Sequence, residues 1–350
     1  MRKRLRGPLA RVSLTIAALL ALVAPGCGGS SSSSASASES TAGKLPLRVV
    51  ANVPLPGGSS RFDYQSLDTG RNRLYLSHLA AGEVLVFDVA HRRVSGTIAG
   101  LPGVHGVVVA PRIGRVYAAA TDRRELVTID ERSGHIVRGI PAGVYPDGIA
   151  YDPADGKVFV SDESGSAVIV ADALSGRARG AIEVGGGTGN VQYDPTSGHV
   201  LVNVQTSNEL VEIDPRRQRV LARYGLPGCE SSHGLHLDPA RRLAFIACEG
   251  NARLLVFDLK TKRITQSFTV GDDPDVLDFD PGLRRLYVAA ESGQVAVFAE
   301  NGRGLRKLAQ AFLADHAHSV AVDPRTHLVY FPLEDIDGRP VMRILRPTGH

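Results

Sequence analysis

Seven positions in this chain of 350 residues recur at a near-constant interval, and most carry side chains able to move protons or hold a cation. They are Asp63, His105, Asp147, Gly189, His233, Asp275 and His318, separated by 42, 42, 42, 44, 42 and 43 residues. A second series follows 16 residues behind: Leu79, Thr121, Glu163, Gln205, Glu249, Glu291 and Glu334. Imidazoles and carboxylates together can ligate a divalent cation or serve as acid and base. His105, His233 and His318 lead the set, because imidazole suits both roles. The glutamates Glu163, Glu249, Glu291 and Glu334 and the aspartates Asp63, Asp147 and Asp275 come next. His78 and His316 belong to the same neighbourhood. Polar residues at the start of strands can also simply cap loops and line a water-filled channel. Cation binding, catalysis and plain solvation therefore all stay open at this level.

Residues so far apart in sequence meet only if the repeat closes on itself. Five residues after each member of the first series stands an anchor: Asp68, Ala110, Asp152, Asp194, Asp238, Asp280 and Asp323. A period of about 40–45 residues marks a β-propeller blade. The third copy is the clearest, with Asp147-Gly-Ile-Ala-Tyr-Asp152-Pro153, then Gly156-Lys-Val-Phe-Val-Ser161, then Ala167-Val-Ile-Val-Ala-Asp172. Short β-branched runs bounded by Asp, Pro, Gly or Ser read as strands and tight turns. Pro presets φ and the Asp carboxylate accepts from the turn backbone, so the repeated Asp-Pro pairs are structural. A second Asp closes the third strand at Asp88, Asp130, Asp172, Asp214 and Asp258, with Glu300 in that place in the sixth copy. A fourth, alternating strand such as Arg263-Ile-Thr-Gln-Ser-Phe268 suits an outer edge facing water.

The last copy ends too near residue 350 for a fourth strand. Leu47-Arg-Val-Val-Ala-Asn-Val53 is expected to supply it and close the ring, which removes open edges. The fold expected is all-β: one seven-bladed propeller of four-stranded antiparallel blades over residues 45–347. Down the first strand and back up the second brings both series to one face. The expectation is a funnel of His, Asp and Glu around one channel mouth.

The segments Arg285-Leu-Tyr-Val-Ala-Ala, Arg73-Leu-Tyr-Leu-Ser and Gly156-Lys-Val-Phe-Val-Ser resemble the YVTN class of bacterial seven-bladed propellers, a surface and lipoprotein family. The resemblance runs through all seven units. It implies the fold; for function it implies a class that holds surface proteins as well as lactonase-like and lyase-like enzymes. The chain has no Trp, so the signatures of WD-type and kelch-type repeats are absent. No Cys-x-x-Cys-His occurs, which excludes a c-type haem.

Residues 1–27 read as an export signal: Arg2, Lys3, Arg4 and Arg6, a short apolar core from Val12 to Val23, and small residues before Cys27. Cys27 is expected to be lipidated as in a bacterial lipoprotein, although Pro25 and the lack of Leu three positions before it depart from the usual pattern. Simple secretion is the alternative. Residues 28–44, mostly Gly, Ser and Ala, cannot bury a core and suit a flexible tether with a reach of about 20–25 Å. The formal charge is +4, but removing the five basic residues of the signal leaves 35 Lys+Arg against 36 Asp+Glu. No basic stripe interleaved with aromatics appears, so no nucleic-acid partner is expected. A monomer is expected.

Cys229, in the loop entering the fifth unit, and Cys248, ending its second strand, fall on one face. A disulfide between them is expected and fits an oxidising compartment. Serine-based catalysis is not expected, because Ser319 beside His318 and Ser232 beside His233 point to the opposite face. The glycine-rich run 185–190 precedes a strand rather than a helix, so it offers no phosphate cradle. Two functional readings emerge. One is a membrane-tethered extracytoplasmic propeller that binds a protein or small-molecule ligand at its channel mouth. The other is a metal-assisted lactonase- or lyase-like enzyme using a divalent cation in the His/Asp/Glu ring.

Overall fold

A computed structural model describes residues 44–302 and 304–349. The expectations for Cys27, the signal and all but the last residue of the tether lie outside these residues. Among the described residues no helix is long and apolar enough to cross a membrane.

Seven four-stranded antiparallel sheets follow one another along the chain. We number them as blades 1 to 7. Their innermost strands are Phe62–Asp68, Val104–Ala110, Pro146–Asp152, Thr188–Asp194, Ser232–Asp238, Pro274–Asp280 and Ala321–Asp323. Blades 1 to 6 are built of consecutive strands, whereas blade 7 takes its outer strand, Leu47–Pro54, from the start of the ring. That strand pairs antiparallel with Val341–Pro347, as the missing fourth strand of the last copy required.

The burial pattern follows from sheets that are covered on both faces. The second strand of blade 5, Leu243–Cys248, is buried at every residue, while its outer strand Arg263–Thr269 alternates between exposed and half-buried. A strand covered on both sides reads as a continuous apolar run; one with a wet face alternates. Hydrophobic clusters therefore form between neighbouring blades: Phe245 and Val256 of blade 5 pack with Phe279, Leu286 and Val288 of blade 6. Burial of such side chains stabilises by roughly 1.5–3 kcal/mol each.

The turns behave as their chemistry dictates. Asp68 Oδ1 accepts from the N–H groups of Gly70 and Arg71, and Asp152, Asp238 and Asp280 do the same in their own copies. The residue before each second strand has positive φ in all seven blades, yet only Gly114, Gly156 and Gly198 are glycines. Asn72, Arg242, Arg284 and His327 adopt the same left-handed geometry because the hairpin twist demands it. Glu300 departs from the Asp pattern. It is buried and pairs with Arg241 of blade 5 at 2.9 Å, so it ties two blades together.

One local device prepares the site. In blades 1 to 6 the pairing of the first two strands shifts register across the same two residues, as between Phe62 and Gln65 or between Ser232 and Leu235. Each shift is a β-bulge, and its first residue is the member of the first periodic series. A bulge breaks the ladder and re-aims the side chain.

Candidate functional site

The bulges deliver Asp63, His105, Asp147, His233 and Asp275 to one cavity of about 200 Å³. Glu163, Glu249 and Glu291, from the ends of second strands, line it as well. Gly189 leaves room in blade 4, where a Cβ would meet the His233 backbone at 2.7 Å. Crowding near the axis also explains Gly234, whose added Cβ would stand 2.0 Å from the Asp275 carbonyl oxygen.

His233 occupies the middle of the cluster. Its Nε2 lies 3.0 Å from the Tyr64 hydroxyl, 3.5 Å from Asp275 and 3.7 Å from Asp147. Its Nδ1 is 2.8 Å from the Gln205 amide and 3.5 Å from Glu249. The bulge carbonyls of His233 and Gly234 both accept from Asn203 Nδ2, which holds the loop in place. Burial opposes the imidazolium, but Glu249, Asp275, Asp147 and Glu163 outweigh it and raise the His233 pKa to about 9.

The carboxyl groups feel the opposite pressure. Burial, reinforced by Asp275 and Asp147, pushes Asp63 well above the usual carboxylate range against the pull of Arg61. Burial likewise raises Glu249 to about 7, with His233 opposing. Burial raises Asp275 too, although His233, His318 and Arg61 counter it. Charges taken out of water are tolerated only when compensated. Seven carboxyl groups line this cavity against one arginine, Arg61.

His105 and His318 are held alike. His105 Nδ1 donates to the Gly103 carbonyl at 2.8 Å, and His318 Nδ1 donates to the His316 carbonyl at 2.9 Å. A carbonyl can only accept, so Nδ1 carries a proton in both, and in the neutral ring Nε2 keeps the lone pair. In His105 that lone pair meets the Tyr145 hydroxyl at 2.9 Å. In His318 no hydrogen bond reaches Nε2.

Four lining residues belong to neither periodic series. Arg61 pairs with Glu291 and lies 3.9 Å from Asp63 and 3.8 Å from Asp275. Tyr64 reaches across the axis to Asp147 at 3.4 Å and to His233. Tyr145 and Asp273 complete the wall. Arg61, Tyr145 and Asp273 all stand two residues before the bulge position, in the loop that enters the innermost strand.

Two expectations need correction. Glu334 does not line the cavity. The loop after Leu328–Leu333 closes on itself, with Gly338 N–H bonded to Asp335 and Ile336 N–H to the Arg339 carbonyl. His78 does not line the cavity either; it is fully buried, stacked on Phe62 at 4.2 Å and bonded to Ser60 at 2.8 Å, and burial lowers its pKa to about 4. His316 stands exposed at the rim, 3.5 Å from Glu291.

The serines act as anchors, as their direction implied: Ser319 Oγ donates to the Asp63 carbonyl at 2.6 Å. The Cys229–Cys248 disulfide is present, with Cα atoms 5.4 Å apart. It borders the site, since Glu249 follows Cys248 and Ser231 bonds Gln205 at 3.0 Å. Below the mouth the channel opens into a cavity of about 490 Å³, and Tyr64 lines both.

The sequence matches no protein-family model and no curated protein. The fold is similar to a chain of "Kuenenia stuttgartiensis Hydrazine Synthase", with a TM-score of 0.69 and 15% identity over 84% of this chain and 97% of that one. It is also similar to a chain of "Mitotic Checkpoint Complex", with a TM-score of 0.72 and 11% identity over 96% of this chain and 99% of that one. At such identities the likeness shows the propeller fold alone.

Proposed function

We propose that this propeller is a membrane-tethered, extracytoplasmic binding module that recognises a small cationic group at the channel mouth around His233. One observation carries the reading. Seven carboxyl groups from several blades face a cavity whose permanent positive charge is Arg61 alone. An ammonium or guanidinium group, free or at the end of a partner's side chain, supplies the missing compensation and matches a volume of about 200 Å³. The rigid ring holds the donors and acceptors in place before the ligand arrives, which lowers the ordering cost of binding. The exported location is supported by the lipoprotein-like start of the chain and by the disulfide, a bond that persists in oxidising compartments. Membership of the YVTN class fits the repeat chemistry and is part of the same proposal.

The test is calorimetric titration with ethylammonium and guanidinium, and with acetate as the anionic comparison. Cations are expected to bind, and Asp147→Asn is expected to weaken them by about tenfold, the loss of one charge-assisted contact. Preference for the anion, or no cation binding at all, would overturn the reading. The lactonase- or lyase-like alternative turns on whether a metal sits at this mouth.

A further inference from the structure

We propose that Asp63, Asp275 and His318, from blades 1, 6 and 7, form a binding site for one divalent transition-metal cation. The site deepens the binding reading and rests on it only in taking this mouth as the place where the chain meets its ligand. A ligand atom from each of the three residues lies within 4.8 Å of the others, and all three side chains are buried.

A cluster of acids does not make a metal site; the atoms left over here do. Asp63 Oδ1, Asp275 Oδ1 and His318 Nε2 are buried without a hydrogen-bond partner. Buried polar atoms are ordinarily paired, and leaving one bare forfeits the solvation it had in water. Asp275 Oδ1 faces His233 Nε2 at 3.5 Å, but His318 Nε2, 4.0 Å from Asp275 Oδ2, and Asp63 Oδ1 are left asking for a partner. Arg61 does not fill that role, because it faces the Oδ2 atoms of Asp63 and Asp275 at 3.9 and 3.8 Å.

His318 is prepared as metal-bound histidines are. Its Nδ1–H is fixed by the His316 carbonyl at 2.9 Å and by Glu291 at 3.3 Å, which sets the tautomer and points the Nε2 lone pair away from them. His105 is the internal comparison. It is pinned in the same way, but the Tyr145 hydroxyl occupies its Nε2. Two carboxylates and one imidazole suit Zn²⁺ or Mn²⁺ better than Ca²⁺ or Mg²⁺, which prefer oxygen alone. The dication also compensates carboxylates that Arg61 alone cannot.

Equilibrium dialysis of the full-length chain, stripped with chelator and then exposed to Mn²⁺ or Zn²⁺, tests the site. The expected result is one ion per chain. His318→Ala and His318→Gln are expected to weaken binding by about 100-fold or more, since loss of even an outer partner costs 10–100-fold. Glu334→Gln, outside the cavity, is expected to leave the affinity unchanged. Should the alanine variant misfold, electron spin resonance of bound Mn²⁺ in His318→Gln keeps the question open to decision: the nitrogen coupling seen in the parent must vanish. Absence of a stoichiometric ion, or parental affinity in His318→Gln, would overturn the metal site. Amine binding without metal binding sinks this inference alone; metal binding without amine binding sinks the cationic-ligand reading alone.

Discussion

Breaking the Cys229–Cys248 bond should cost stability without dismantling blade 5. The two cysteines are 19 residues apart in sequence. A cross-link over such a loop removes unfolded-state entropy worth about 3 kcal/mol at room temperature. A domain of this size has an unfolding entropy of about 0.6 kcal/mol per kelvin, so the melting temperature should fall by about 5 °C. Both residues are buried, which makes the Cys229→Ala/Cys248→Ala double variant a better choice than serine. The local hairpin should survive, because Glu249 N–H bonds the Ser231 carbonyl at 3.0 Å and Gly250 N–H bonds the Glu230 carbonyl at 2.9 Å. The assay compares urea midpoints and melting curves of parent and variant, each with and without reductant. Reductant should lower the parent to the level of the variant and leave the variant unmoved. An unchanged melting temperature in the double variant, or equal sensitivity of both proteins to reductant, would refute the reasoning.

Glu212 should contribute pH-dependent stability. Burial opposes its charge, but Lys262 at 2.8 Å, Tyr224 at 2.6 Å and His199 at 2.7 Å outweigh it and lower the pKa from 4.5 to about 2. The folded value lies below the unfolded one, so the stabilisation is full above pH 4.5 and is lost as pH falls toward 2. It amounts to about 3 kcal/mol at most, and about 2 after screening of the part-exposed Lys262. Glu212→Gln should therefore lower the urea midpoint at pH 7 and much less at pH 3; an equal loss at both would contradict it. Gly234→Ala should destabilise by about 3 kcal/mol, because the new Cβ strikes the Asp275 carbonyl of the next blade. Gly225→Ala, on an outer strand with open space around it, should stay within about 0.5 kcal/mol in the same unfolding assay.

Much of the fold was legible in the residues themselves. The Asp-Pro turns gave the period, the apolar runs of the second and third strands announced sheets covered on both faces, and the short seventh copy called for the N-terminal strand. The convergence of Asp63, Asp147, His233 and Asp275 also followed, because equal offsets in equal blades must meet around one axis. Arg61, Tyr145 and Asp273 left no signal because only glycine, at Gly103 and Gly187, repeats at their offset, which lies in the loops before the strands. Tyr64 stands where Gly106, Gly148 and Gly234 leave space in other blades, and a side chain crossing the axis has no trace in a one-dimensional pattern.

The claim under all of this is that carboxylates from separate blades surround one imidazole. The pKa of His233, followed by NMR through its imidazole proton in chelator-treated protein and assigned with His233→Gln, measures that directly. A value of about 9, falling by about one unit or more in Asp147→Asn, is the result these distances require. A value at or below the ordinary 6.5, unmoved by Asp147→Asn, would mean that the blades do not bring these groups together.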